Sequence, residues 1–548
     1  MTDFNTLKDI LTEKQVLTHP SQEYEKAVFI GNLNYRFTTP PVVIQARSVQ
    51  DVRATIDFAR QNKVRLTVKN GGHSYMGYCL NREGIVLDVS LMNGCYIDPD
   101  KMLVEMQGGL IWKDVYYKHL KDKRNIIIGG QCPTVGVSGF TLGAGLSPFS
   151  RSYGLGCDNL LEMTVITYDG KEVKLSSEDK DPGKRDLFWA MAGGGGGNYG
   201  VVVSLTSRMH KLRDQKGRVV CGQLLWNLPQ QKQAFEKMMD EFNNTKHPNE
   251  LAVDALWSHG RYKQMTGGMT IIYNGSMKKA QKYINRFLAF EPVSINLSEM
   301  EWTDWVHKSE EWDPRTNVYH HHASFIFAEG AIKPDVVAKI SALVREAADI
   351  VEITDKNEKG SAKTHFLWDH IGGKTEELAP EATPFYWRSG HYVANIKLQW
   401  TKEGLHDTVK QFIAKCYTVL MPHAIEQKAS YVNYIDAFVP NWQEAYYGRN
   451  YTRLQEIKTR WDPDNFFNNW QSIEPLKDGK KALPVHDVLA VPTTQELLQL
   501  PVAQKVQDWW DMYPKFALPE KMGAPETDQE AFKQDAEIRK EIMTEHGL

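Results

Sequence analysis

The chain has 548 residues, of which 42% are hydrophobic and 24% are charged, a composition typical of a globular protein with two or more domains. Its formal net charge of -3 provides no electrostatic argument for binding nucleic acid or an anionic membrane surface. No run of about 18 apolar residues occurs, so we expect no membrane span. We expect a cytoplasmic protein, or a secreted one if a leader has been removed.

The six cysteines are scattered, and none forms a Cys-x-x-Cys pair. This spacing argues against a zinc finger and against a disulfide scaffold. The run His320-His321-His322 suggests a metal site, because His320 and His322 would share one face of a strand. No Cys or acidic cluster lies near them at ligand spacing, so we expect pocket-lining or partly exposed histidines and no metal.

The first predicted elements lead to a glycine loop. Ser48-Val49-Gln50-Asp51 has the pattern of a capping box, and the apolar stripe after it predicts a helix over 49–59. Alternating apolar residues then predict a half-buried strand over 64–68. Gly71-Gly72 follows and lets backbone N–H groups approach an anion. His73-Ser74-Tyr75 comes next, so the loop presents three chemically capable side chains.

A second glycine turn repeats this arrangement. After two further strands, the pattern predicts a helix over 112–120 and a buried strand over 126–128. The turn that follows, 129–139, contains the run Cys132-Pro133-Thr134-Val135-Gly136-Val137. Cys132 stands 59 residues after His73.

With Gly143-Ala144-Gly145 and Tyr153-Gly154-Leu155, these two turns resemble the FAD-linked oxidases of the vanillyl-alcohol-oxidase family, which have a PCMH-type FAD-binding domain. Within that family the chain is similar to the berberine-bridge-enzyme-like branch. The resemblance implies bicovalent FAD, with His73 bonded to the 8α-methyl group and Cys132 to C6 of the ring. The alternative is a histidine in a plain turn and a buried cysteine, which the spacing and the flanking glycines disfavour.

The resemblance also implies a set of residues that contact the cofactor. Besides His73 and Cys132, the predicted FAD-binding residues are Lys69, Asn70, Gly71, Gly72, Ser74, Gln131, Val135, Gly136, Gly139, Gly143, Gly197, Gly200, Val202 and Asn433.

Glycines 195, 197 and 200 spell G-x-G-x-x-G, the spacing of a dinucleotide fingerprint. That fingerprint needs a strand before it and a helix after it. Here a helix is predicted over 186–191 and a strand over 201–205, so the order is reversed and a Rossmann site is rejected. The stretch instead resembles the family's glycine-rich turn near the ribityl and adenosine portion of the flavin.

Residues 372–378, Gly-Gly-Lys-Thr-Glu-Glu-Leu, are similar to the family's strand that faces the flavin. On a strand, Lys374 and Glu376 share one face and Glu377 lies on the other. We take the first face as the substrate side. The alternative is that Lys374 and Glu376 lie on a strand face exposed to solvent.

Tyr434, in the run Tyr431-Val432-Asn433-Tyr434, matches the family's catalytic tyrosine. A free phenol, with a pKa near 10, is a poor base at neutral pH, so a nearby cation is expected, either Lys374 or Arg388. Tyr75 is the second candidate base. Glu376 would bind a substrate amine or act as an alternative base.

The predicted fold class is α+β: a two-lobed FAD-binding domain and a substrate domain with an antiparallel sheet covered by helices. The predicted boundaries are 1–212 for the first part of the FAD-binding domain, 213–423 for the substrate-binding domain and 424–475 for the return to the FAD-binding domain. Residues 476–548 form an extension with a linker, Trp509-Trp510 and a charged helix near 527–545.

The predicted function is an FAD-dependent oxidase that acts on an alcohol, carbohydrate or secondary metabolite. In the family, valine at the position of Val135 accompanies oxidases and leucine accompanies dehydrogenases, so O₂ is the expected acceptor and hydrogen peroxide the product. A dehydrogenase with another acceptor and a flavin-binding protein without turnover are the alternatives. Departures at Lys69-Asn70, Phe140 and Tyr386-Trp387 leave the small-molecule substrate open. We expect a monomer or a weak homo-oligomer.

Overall fold

The computed structural model describes residues 2–476, except for positions 20, 37, 122 and 229 and the segments 260–264, 310–318, 352–363 and 401–402. The predicted linker, the paired tryptophans and the charged helix of the C-terminal extension lie outside the described residues.

The first sheet is mixed and lies under the first glycine loop. Its strands, in the order β1-β2-β4-β3, are β1 (Val16–Leu17), β2 (Val42–Gln45), β3 (Leu66–Lys69) and β4 (Ile85–Asp88). β2, β3 and β4 run parallel, and β1 runs antiparallel to β2. Apolar clusters pack on both faces of the sheet, one around Val42 and Leu87 and the other around Val43 and Val86, so β4 is buried along its whole length.

The second sheet is antiparallel and carries the 201–211 strand at its centre. Its strands are β5 (Cys95–Asp98), β6 (Leu103–Gln107), β7 (Asn125–Ile127), β8 (Leu160–Ile166), β9 (Glu172–Ser176) and β10 (Val201–Lys211). They pair in the order β5-β6-β10-β8-β9, and β7 pairs with the end of β10.

The third sheet has seven antiparallel strands in the order β14-β11-β13-β12-β16-β17-β15. They are β11 (Val219–Leu228), β12 (Leu251–His259), β13 (Met265–Tyr273), β14 (Ser294–Met300), β15 (Tyr319–Ala328), β16 (Thr364–His370) and β17 (Gly390–Trp400). The sheet lies within the predicted 213–423 segment; the domain boundaries themselves stay predictions. The α+β class is confirmed, with an antiparallel sheet that helices cover on one face.

The helices are α1 (Leu7–Ile10), α2 (Gln22–Val28), α3 (Leu33–Arg36), α4 (Val49–Gln61), α5 (Trp112–Asp114), α6 (Val137–Leu142), α7 (Ser150–Tyr153), α8 (Pro182–Met191), α9 (Lys232–Asn243), α10 (Met277–Leu288), α11 (Trp302–Ser309), α12 (Pro334–Ile350), α13 (His406–Leu420), α14 (Trp442–Tyr447) and α15 (Tyr451–Trp461). In the part of the chain that the structure describes, none of them is long and apolar enough to cross a membrane.

Two of the helices predicted from local sequence are present in the structure. The capping box of α4 is confirmed: the Ser48 hydroxyl accepts from the amide of Asp51 at 3.2 Å, and the Asp51 carboxylate accepts from the amide of Ser48 at 3.0 Å. The helix predicted over 112–120 is also present, but after α5 it continues as a π-helical turn over Val115–Leu120.

The strand predicted over 372–378 is wrong. Residues Gly373–Glu377 form a 3-10 turn, which begins with positive φ angles of 89° at Gly372 and 57° at Gly373. The Thr375 hydroxyl accepts from the amide of Gly372 at 3.0 Å and closes the turn. Because two glycines with positive φ cannot belong to a regular strand, the alternation argument for Lys374 and Glu376 fails.

A buried lysine joins the C-terminal segment to the rest of the molecule. The Lys458 ammonium, on α15, is fully buried and pairs with Asp462 at 2.6 Å. It also donates to the carbonyl oxygens of Asn198, after the glycine-rich turn, and of Phe467. All three donors of the ammonium are therefore used inside the protein.

Replacing Lys458 with methionine is expected to lower the unfolding free energy by about 3–5 kcal/mol, since it leaves the Asp462 carboxylate buried without its cation. Urea denaturation followed by intrinsic fluorescence measures the effect. Lys415→Met is the matched control, because its ammonium pairs with Glu346 at 2.6 Å while 47% exposed, and its loss is expected to cost under about 1 kcal/mol. Equal midpoints for the two variants would contradict the role of Lys458.

Candidate active site

One cavity of about 580 Å³ lies between the glycine turns and the uncovered face of the third sheet. Four backbone segments form the wall on the side of the glycine turns: 70–75, 130–136, 195–198 and 431–435. Side chains from β11, β12, β13, β16 and β17 form the opposite wall. The volume is in the range of small-molecule sites.

The two predicted glycine turns touch each other at the cavity floor. A Cβ at Gly71 would lie 2.7 Å from both the Thr134 carbonyl oxygen and the Gly136 amide nitrogen, so only glycine allows this contact. A Cβ at Gly136 would lie 2.4 Å from Nδ2 of Asn70. Asn70 also donates to the carbonyl oxygen of Gly108 at 2.7 Å. The turns are thus held together by direct backbone packing.

Thr134 links the two residues predicted to carry the flavin. Nε2 of His73 lies 2.9 Å from the Thr134 hydroxyl, and Sγ of Cys132 lies 3.6 Å from the same hydroxyl. Burial, followed by the charges of Lys397 and Lys69, lowers the pKa of His73 to about 4. His73 is therefore a neutral imidazole at physiological pH.

The structure brings most of the predicted site residues together around this cavity. Those that line it are Asn70, Gly71, Gly72, His73, Ser74, Tyr75, Gln131, Cys132, Val135, Gly136, Gly139, Gly197, Gly200, Val202, Asn433 and Tyr434. Their roles toward a ligand stay predictions.

Two residues predicted to bind the cofactor, Lys69 and Gly143, do not line the cavity. Lys69 runs under the first glycine loop, where its Cε would be 3.3 Å from a Cβ at Gly72. Gly143 lies behind Asn433: a Cβ there would be 1.9 Å from the Asn433 Oδ1 atom. Gly143 thus makes room for Asn433 rather than for a ligand.

Lys374 and Glu376 do not reach the cavity. The Lys374 ammonium pairs with Glu377, and both side chains are about half exposed. A Glu376 carboxylate oxygen lies 3.7 Å from Nδ1 of His391. The 3-10 turn directs this segment away from the cavity, so the predicted substrate face formed by Lys374 and Glu376 is wrong.

Tyr434 has a carboxylate as its partner and not the expected cation. Its hydroxyl donates to Oδ2 of Asp369 at 2.7 Å. Arg388 instead makes two bonds to Asp158, at 2.8 and 2.9 Å. Burial, followed by the charge of Asp369, raises the pKa of Tyr434 well above its ordinary value. Tyr434 is therefore a protonated phenol whose proton points at a carboxylate.

Asp369 is the residue that sequence reasoning missed. Burial raises its pKa to about 6, an effect that the hydrogen bond from Tyr434 opposes. The sequence signal for Asp369 is that an acidic residue follows the aromatic and apolar run Phe366-Leu367-Trp368, on a strand that alternation predicts.

Tyr75 lies beside Tyr434 and is held by a ring contact. Its ring stacks on His322 with centroids 3.4 Å apart, and the Tyr75 and Tyr434 centroids are 6.1 Å apart. Burial raises the pKa of the Tyr75 phenol and lowers that of the His322 imidazole. Within the described ranges, no group of three or more His, Cys, Asp or Glu side chains is arranged to hold a metal ion.

The sheet wall of the cavity carries polar side chains that the sequence did not reveal, beside the apolar Leu256 and Leu367. The side chains from this wall that sequence reasoning left out are Gln223, Asp254, Thr270, His365, Asp369 and Lys397. They come from five different strands, and each is an inward-facing position of an alternating pattern.

The residues present fit a flavin cofactor. Cβ atoms built at Gly139 and Gly196 would meet nothing within 4 Å, so both glycines face open space in the cavity. In the described part of the chain, the buried Oδ1 of Asn70 has no hydrogen-bond partner. Backbone groups at glycine turns suit a pyrophosphate, and the wide aromatic section near Tyr75 and Tyr434 suits a ring system.

Two protein families match the chain. The FAD binding domain family matches residues 40–176, and the family described as berberine and berberine like matches residues 430–474. These two segments contain the two glycine turns and Tyr434.

Similar proteins cover most of the chain. YgaK of Bacillus subtilis, an uncharacterized FAD-linked oxidoreductase, is 26% identical over 470 residues, which cover 84% of this chain and 97% of YgaK. Berberine bridge enzyme-like D-1 of Nicotiana tabacum is 26% identical over 527 residues, covering 84% and 88%. A berberine bridge enzyme variant in complex with (S)-reticuline has a TM-score of 0.75 at 19% identity, covering 87% and 99%.

The likeness to the solved structure concerns the fold, while the family matches and the relatives concern the chemistry. The chain therefore carries an FAD binding domain and a berberine-like segment, and it is an FAD-dependent oxidoreductase similar to the berberine-bridge-enzyme-like proteins.

Proposed function

We propose that the protein is an oxidase that removes a hydride from an alcohol carbon of a polar, hydroxyl-bearing small molecule, such as a carbohydrate, and that uses O₂. The observation that carries this proposal is the Tyr434–Asp369 hydrogen bond, which lies in the same cavity as His73 and Cys132. Bound FAD would accept the hydride and pass two electrons to O₂, giving hydrogen peroxide. The polar side chains of Gln223, Thr270 and Asp254 on the sheet wall favour a substrate with several hydroxyl groups.

We infer two covalent bonds to FAD, from His73 and from Cys132. His73 is neutral, so one of its ring nitrogens is unprotonated, which is the form of imidazole that can bond to carbon. Cys132 lies on the facing turn, and the Thr134 hydroxyl lies between the two side chains. Asn70 and the amides at Gly71, Gly72 and Gly136 would hold the rest of the cofactor.

Acid precipitation of the holoprotein tests both bonds. We expect the flavin colour to stay in the precipitate of wild type and of the single variants His73→Ala and Cys132→Ala, because one bond suffices to retain it. The double variant is expected to release its flavin. Cys79→Ala, which removes another thiol from the cavity lining, is the control and should behave as wild type. Flavin in the wild-type supernatant would contradict covalent attachment.

The proposed base is a relay of two groups. As the substrate carbon loses its hydride, the substrate O–H proton moves to the Tyr434 hydroxyl oxygen. The proton that Tyr434 already donates moves to Oδ2 of Asp369. A carboxylate with a pKa of about 6 is ionised at neutral pH and is an adequate acceptor. The phenol therefore does not need the cation that a lone tyrosine base would require.

Removing either relay group is expected to lower kcat/KM by about 10²- to 10⁴-fold. The variants are Tyr434→Phe and Asp369→Asn, and the control is Tyr78→Phe, whose phenol lines the same cavity but contacts Gln471 at 3.2 Å. Because Asp369 must be ionised to accept a proton, wild-type kcat/KM should fall as pH drops below about 6. This acidic limb should be absent from Asp369→Asn; its persistence there would contradict the relay.

Reaction with O₂ separates the oxidase from the two alternatives. Val135 lines the cavity beside Cys132, and a longer side chain there would narrow the space next to the turn. Stopped-flow reoxidation of the reduced wild type in air should be fast, and Val135→Leu should slow it more than it slows reduction by substrate. Slow reoxidation of wild type with fast dye reduction would indicate a dehydrogenase. No reduction by any alcohol or sugar would indicate a flavin-binding protein without turnover.

A further inference from the structure

The polar wall of the cavity contains a second carboxyl group next to Asp369. β12 and β16 are antiparallel, and their register pairs Ala255 with Trp368. That pair is the last of the ladder, and Asp254 and Asp369 lie one residue beyond it on the two strands, where the amide of His370 donates to Oδ1 of Asp254 at 3.3 Å. Directly opposed residues on neighbouring antiparallel strands have Cβ atoms about 4.5–5.5 Å apart. Both side chains line the cavity, so the two carboxyl groups face the same space.

Two negative charges at this separation are unfavourable inside the protein. Asp254 is buried, with 8% of its surface exposed, and like charges directly opposed on a sheet repel each other. Burial, followed by the charge of Asp369, raises the pKa of Asp254 well above its ordinary value. One of the two carboxyl groups must therefore keep a proton at neutral pH.

The hydrogen bonds differ between the two carboxyl groups. Asp369 accepts a short bond of 2.7 Å from the Tyr434 hydroxyl, which stabilises the ionised form. Asp254 accepts a longer bond of 3.3 Å from the backbone amide of His370. The titratable side chains that line the cavity around the pair are Tyr75, Cys132, His365, His370, Lys397 and Tyr434. The short bond from Tyr434 makes Asp369 the better place for the negative charge.

We propose that Asp254 and Asp369 form a carboxyl pair that holds one proton at neutral pH, on Asp254. Asp369 then remains the anion that receives the proton of Tyr434. Asp254 is a positioning residue with two effects: it avoids a second negative charge beside the relay, and it offers the substrate a neutral O–H donor. This role in positioning substrate rests on the proposed function, whereas the shared proton does not.

Neighbouring side chains extend this donor into a row across the sheet. Asp254 pairs with Thr270 on β13, and Thr270 pairs with Gln223 on β11. Nε2 of Gln223 donates to the Thr270 hydroxyl at 3.2 Å. All three residues line the cavity. A carboxylic acid, a hydroxyl and an amide in one row suit the several hydroxyl groups of a polyol or sugar.

Infrared spectroscopy of the holoprotein tests the pair without turnover. Labelling with ¹³C-aspartate separates carboxyl bands of aspartate from flavin carbonyl bands. At pH 8 we expect the wild type to keep a protonated aspartate band that shifts with the label. Asp254→Asn should lack this band, and Thr270→Val, a non-titrating change in the same row, should retain it.

Asp369→Asn provides a second measurement that does not depend on the folding of Asp254→Asn. Loss of the neighbouring charge should lower the pH at which the Asp254 band disappears. The proposal is overturned if wild type has no protonated aspartate band at pH 8, or if the band survives in Asp254→Asn. A band that behaves as expected in a protein that oxidises no alcohol or sugar would overturn the proposed function and leave the shared proton intact.

Discussion

The contact between the two glycine turns is the constraint on which the rest of the site depends. Gly71 lies against the backbone of Thr134 and Gly136, at distances that no side chain at position 71 would permit. This contact brings segments more than sixty positions apart into one wall and places His73 and Cys132 on either side of Thr134. A shift of either turn would separate the two residues that we propose hold the flavin.

The second determinant is the burial of the titratable groups away from water. Burial keeps His73 neutral, keeps Tyr75 and Tyr434 protonated, and brings Asp369 toward the neutral range. Several titratable groups in the cavity are therefore uncharged at neutral pH. In such surroundings a proton moves most easily along existing hydrogen bonds. Proton transfer from Tyr434 to Asp369 therefore depends on the protonation state of the neighbouring Asp254.

The third sheet uses its two faces differently. One face packs against α9, α12 and α13 and is apolar, while the other presents Gln223, Thr270, Asp254 and Asp369 to the cavity. Strand alternation allows this division, since neighbouring residues on each strand point to opposite sides. The helix-covered face stabilises the sheet, while the residues on the cavity face determine which small molecule fits.

Elements with local signals and motifs with a characteristic spacing could be predicted from the sequence. The capping box of α4, the strand before Gly71 and the helix-turn-strand order around residues 193–200 are all present as predicted. The resemblance drawn from the two glycine turns and the Tyr434 motif is confirmed by the two matching family models. The 372–378 segment was misjudged because two glycines with positive φ override the alternation of the residues after them.

Which side chains share the cavity depends on strand pairing and on the packing of distant segments. Asp369 and Asp254 are 115 positions apart in the chain, and strand register alone makes them neighbours. The partner of Tyr434 likewise follows from the docking of the 431–435 segment onto β16, so the expected cations at Lys374 and Arg388 lie elsewhere. The physical reason is that a one-dimensional pattern records which face a residue occupies, whereas sheet register and the packing of distant segments determine what lies opposite that face.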